Sequence, residues 1–94
     1  MGKLVRDKIP SMINNCDYRV LDDFEFEIEL YKKLEEEVAE LLECPGSLEE
    51  IADVAEVLYT ILKNSQYTLG DLITAMEHKN NNNGAFEKRY YWNN

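Results

Sequence analysis

Apolar residues recur along this chain at the spacing of helix faces. Between about Asp23 and Glu43, Leu30, Leu34, Val38 and Leu41 fall within about 80° of arc at 100° per residue, which predicts one long amphipathic helix. Asp22 and Asp23 offer N-caps for it, and its Glu, Leu and Lys content favours a helix. Pro45-Gly46 stops it, and Ser47 caps a second helix that runs to about Lys63 with Val54, Val57, Leu58 and Ile61 on one side. Asn64 to Gln66 form a break. Thr68 caps a third helix, Leu69 to Lys79, carrying Leu72, Ile73 and Met76. Upstream, Lys3-Leu4-Val5 reads as extended, Pro10 opens a short helix through Ser11 to Ile13, and Tyr18 to Leu21 reads as a brief strand. Asn80 to Asn83 before Gly84 read as a loop, and the aromatic tail Phe86 to Trp92 as a strand or an extended arm.

These elements predict an all-α fold. A helical hairpin closed by the Cys44–Ser47 turn is joined by a third helix in one domain over residues 1–94. The apolar arcs exceed what one thin bundle covers. Two hairpins are therefore expected to pair into a four-helix-bundle-type dimer core.

Charge narrows the partners. The chain holds 19 Asp+Glu against 10 Lys+Arg, a formal charge of −9. Such a surface argues against binding a nucleic acid polymer, which needs a basic face, and leaves room for a metal cation or a metal-bound phosphate. Forty-five per cent hydrophobic residues separate the chain from a disordered acidic tail. No apolar run is long enough to cross a membrane, and charges interrupt the N-terminus where a signal peptide would be apolar, so a cytoplasmic, reduced setting is expected. Cys16 and Cys44 then read as plain buried or half-buried thiols, and a single histidine, His78, speaks against a Cys/His zinc site.

The candidate chemistry lies in the hairpin. Glu37-x-x-Glu40 and Glu50-x-x-Asp53 each place two acids on one helix side. Glu40 and Glu50 are equally far from the turn at Pro45, as are Glu37 and Asp53, so the four acids form two rungs about 4.5 Å apart. On the helical wheel Glu37 sits at the rim of the apolar stripe and Glu40 about 60° outside it, while Glu50 falls between Val57 and Ile61. Clustered carboxylates there lose hydration and repel one another; a hard divalent cation relieves both. Two plainer readings stand beside this one. Glu-rich helices are commonly solvated faces, and Glu50 is also placed to be the third residue of a capping box with Ser47.

Two flanking segments, KLVRDKIPSMI (Lys3–Ile13) and HKNNNNGAFEKRYYW (His78–Trp92), together with the acidic hairpin, resemble the all-α nucleoside triphosphate pyrophosphohydrolases, in their short MazG-like, phosphoribosyl-ATP pyrophosphohydrolase-like branch. The resemblance implies that Glu37, Glu40, Glu50 and Asp53 bind Mg²⁺. The implied reaction is hydrolysis of a nucleoside triphosphate or related nucleotide to the monophosphate and pyrophosphate, as nucleotide-pool house-cleaning, in a homodimer or tetramer. Glu37, or Glu36 beside it, is the candidate to orient the attacking water. Lys8, Lys79 and Arg89 are the candidate phosphate contacts. Phosphoribosyl-ATP is another substrate of this class. The alternative from a different class is a catalytically silent helical dimer that binds a nucleotide or a protein.

Overall fold

The computed structural model describes residues 2–93, and every regular element among them is helical: α1 (Ile9–Met12), α2 (Asp23–Glu43), α3 (Leu48–Asn64) and α4 (Leu69–Asn83). The long helices start where their caps are. The Asp22 carboxylate accepts from the Glu25 backbone N–H at 2.8 Å, and the Asp22 N–H donates back to the Glu25 carboxylate. Thr68 and Asp71 make the same reciprocal pair at the head of α4. Loss of a cap of this kind costs about 1 kcal/mol. Asp22→Ala is therefore expected to lower the melting temperature by several degrees, with Thr68→Ala, at the more loosely attached α4, lowering it less.

Cys44 ends α2, donating to the Glu40 and Leu41 carbonyls, and Gly46, at φ +81°, makes the left-handed step that turns the chain into α3. The hairpin of α2 and α3 is the main packing unit, with α4 attached beyond it at the end of α3. Leu30 at 2% and Val57 at 8% exposure form its centre.

Three local expectations are corrected. The Asn80–Asn83 segment is not a loop: α4 continues through it to Asn83 and stops at Gly84, whose φ is +80°. Once the cap has nucleated a helix, each added residue gains a backbone bond, and the poor propensity of asparagine costs only tenths of a kcal/mol. Tyr18 to Leu21 carry no strand; of the two readings of the aromatic tail, strand or extended arm, the strand is absent among the described residues. Cys44 is exposed rather than buried; Cys16 is half-buried, and both are free thiols. No helix among the described residues is long and apolar enough to cross a membrane.

The hairpin also has a second apolar side. Phe24, Ile28, Tyr31, Val38 and Leu42 follow one another on α2 at helical spacing, all exposed, and Leu48, Ile51 and Leu58 do so on α3.

Candidate metal centre

The wheel and rung arguments place acids toward one spot, and three of them meet there. Glu37, Glu40 and Glu50 each present a carboxylate oxygen within 4.8 Å of the other two. Glu37 is buried at 8% exposure, Glu50 half-buried and Glu40 exposed; Glu40 is outermost as its angle predicts, but Glu37 at the rim of its stripe is covered more than Glu50 inside its own. The short turn sets the height of Glu50 opposite Glu40, and the helix period brings Glu37 to the same side.

Two atoms make this more than a solvated acidic face. One oxygen of Glu37 (Oε2) and one of Glu50 (Oε2) are fully covered and have no hydrogen-bond partner. A buried acceptor left unpaired costs about 1–3 kcal/mol, and more when charged. The capping-box reading of Glu50 does not account for this. Ser47 accepts from the Glu50 backbone N–H at 3.3 Å, but no reciprocal bond returns from the Glu50 carboxylate, which turns into the cluster instead. Glu40 feels the crowding: the Glu37 carboxylate beside it raises its pKa above the ordinary carboxylate value, with partial desolvation and the charge of Glu50 adding to the effect. The donor set is all carboxylate oxygen, a kind of ligand that hard divalent cations such as Mg²⁺ accept, and the orphaned oxygens are free to serve as such.

A raised folded pKa favours the protonated form. Without added cation, the contribution of Glu40 is therefore fully present below the ordinary carboxylate pKa of about 4.3 and lost as pH rises through the folded value. Relative to wild type, Glu40→Gln is expected to flatten the fall of melting temperature with pH across that window, measured in EDTA.

The remaining candidate acids are engaged elsewhere. Asp53 lies outside the cluster, and its Oδ1 accepts from Arg6 Nη2 at 2.7 Å. Glu36 accepts from Lys3 at 3.3 Å and from Lys33 at 3.2 Å. Burial pushes the Glu36 carboxyl up, but the bonds from Lys33 and Lys3 outweigh it and hold the group below the usual range.

Beside the cluster is a cavity of about 630 Å³, walled by the N-terminal segment on one side and by α2 and α3 on the other. Glu37 is the member of the acid cluster that also lines it. Lys8 lines it, as expected of a phosphate contact. Arg6, Lys33 and Lys63 line it too, and Phe26, Leu30, Met12 and Val57 supply apolar surface. Lys79 and Arg89 do not line it; both are exposed and make no ion pair among the described residues. Lys33 and Lys63 were absent from the candidates drawn from the sequence. Lys33 was legible there, three and four residues before Glu36 and Glu37 on the same helix. A smaller apolar groove of about 280 Å³, between Leu58, Leu62, Tyr67 and Leu72, holds no charged side chain.

Comparisons with protein-family models, with curated proteins and with solved structures found no match for this chain.

Proposed function

We propose that this protein is a Mg²⁺-dependent pyrophosphohydrolase that cleaves a nucleoside triphosphate, or a related nucleotide, to the monophosphate and pyrophosphate. The observation that carries the reading is the pair of orphaned, covered oxygens on Glu37 and Glu50 within a three-carboxylate cluster, next to a cavity lined by four cationic side chains, four acids and apolar surface. Glu37, Glu40 and Glu50 would hold the ion. Asp53, the fourth acid of the family pattern, would join only on leaving Arg6. A bound Mg²⁺ would offset charge on the phosphate oxygens and favour ionisation of a nearby water. Phosphate oxygens would be met by Lys8 and Lys63 across the cavity, and the sugar and base by Phe26, Leu30 and Met12. Glu36 is a poor base, being doubly bonded to lysines at a lowered pKa, so Glu37 is the better candidate to orient the attacking water.

Assembly belongs to the same proposal. The exposed stripe Phe24, Ile28, Tyr31, Val38 and Leu42 and the matching residues of α3 are suited to a second hairpin, giving a four-helix core in a homodimer.

The test is pyrophosphate release from a nucleotide panel that includes phosphoribosyl-ATP, with and without Mg²⁺, beside the melting temperature in each condition. Turnover that needs Mg²⁺ and survives Glu43→Gln supports the enzyme. If no substrate turns over and Mg²⁺ leaves the melting temperature unmoved, the silent helical dimer is the better description.

A further inference from the structure

Lys33 stands between the acid cluster and the cavity. Its ammonium lies 3.2 Å from Glu36 Oε2 and 3.3 Å from Glu37 Oε1, its side chain is only 15% exposed, and it lines the cavity together with Glu37. Burial alone would lower its pKa, but the bonds to Glu36 and Glu37 outweigh that and raise it, so the group stays charged. A fixed positive charge so close to Glu37 acts on the cluster in two ways. It neutralises the one carboxylate there that is buried. It also repels any divalent ion that approaches the other oxygen of that carboxylate, and at such separations in a half-buried site the repulsion amounts to kilocalories rather than tenths.

We propose that Lys33 is a resident counter-ion that keeps the site from holding a divalent cation on its own, and that it turns from Glu37 to a phosphate oxygen when metal and polyphosphate enter together. The inference rests on the metal reading above and adds the order of events: the ion arrives with its nucleotide. The geometry suits the exchange. Glu36 keeps Lys33 anchored through its own 3.2 Å contact while Glu37 is given up to the metal, and the cavity that Lys33 already lines is where the phosphates would lie. Lys3 provides the contrast, since among the described residues it pairs with Glu36 alone, and it is exposed.

The inference predicts effects of opposite sign from one substitution. Lys33→Met keeps most of the unbranched stem of the side chain and removes its charge. Free Mn²⁺, followed by the loss of its solution electron paramagnetic resonance signal, is expected to bind this variant about tenfold tighter than wild type. The Mn²⁺ complexes of α,β-methylene dATP and dTTP, measured by calorimetry, are expected to bind it about tenfold more weakly. Lys33→Arg should restore both values toward wild type, and Lys3→Met should change neither. Circular dichroism establishes that each variant is folded; if Lys33→Met is not, Lys33→Gln takes its place. Weaker binding of free Mn²⁺ by the variant, or no change in either measurement, overturns the role of Lys33 and leaves the metal site standing. Failure of wild type and variant alike to bind Mn²⁺, with or without the analogues, overturns the metal reading itself.

Discussion

Glu50→Gln is expected to yield a protein that melts higher than wild type without added cation and that has lost Mg²⁺-dependent turnover by about a hundredfold or more. The two effects share one cause. The Glu50 carboxylate has a covered oxygen with no donor and makes no ion pair among the described residues, so its charge opposes folding. An amide of the same shape removes that charge and donates to the neighbouring Glu40 or Glu37. In a metal site the same change deletes an anionic ligand. Glu37→Gln should abolish turnover equally, with a smaller gain in stability, because Glu37 already has Lys33 at 3.3 Å. The measurements are melting curves in EDTA and in Mg²⁺, with pyrophosphate release on the best substrate. A Glu50→Gln protein that melts lower in EDTA and keeps its activity would show a cap residue without a role at an ion.

The second large effect concerns assembly. Ile28 is exposed, with Glu25 and Lys32 about one turn away on either side. In a lone hairpin, Ile28→Lys should be close to neutral, since exposed substitutions stay within about 0.5 kcal/mol. In a four-helix core the same lysine is buried against a second copy without a partner, at a cost of several kcal/mol. Light scattering should therefore find the wild type at twice its 11.0 kDa chain mass and Ile28→Lys at the single-chain mass. Wild-type melting temperature should rise with protein concentration, and that of the variant should not. A wild type that runs as a monomer at every concentration refutes the dimer.

What could be read from the sequence was what periodicity and a short turn determine together. Helix ends at Asp22, Ser47 and Thr68 were signalled by their cap residues. The gathering of Glu37, Glu40 and Glu50 followed from their angle around each helix and their distance from Pro45. Asp53 obeyed the same arithmetic but lies outside the cluster, bonded to Arg6, which is 47 positions distant in a segment without regular repeat, so no local rule forecasts the contact. Lys79 and Arg89 were chosen by charge alone, with no element to aim them at the hairpin, and they lie outside the cavity. Lys63 shows the converse: nothing in its neighbourhood singled it out, and only the approach of the N-terminal segment made a cavity wall of the last turn of α3.

The bond from Arg6 to Asp53 ties the leading end of the polypeptide to the middle of α3. Residues 4–9 thereby roof the cavity over the helical hairpin. Trimming that end by a protease, or pulling on it with a bulky fused partner, would unroof the chamber and release a carboxylate one helical turn from Glu50 in the same event. Purification handles for this protein therefore belong at the opposite terminus.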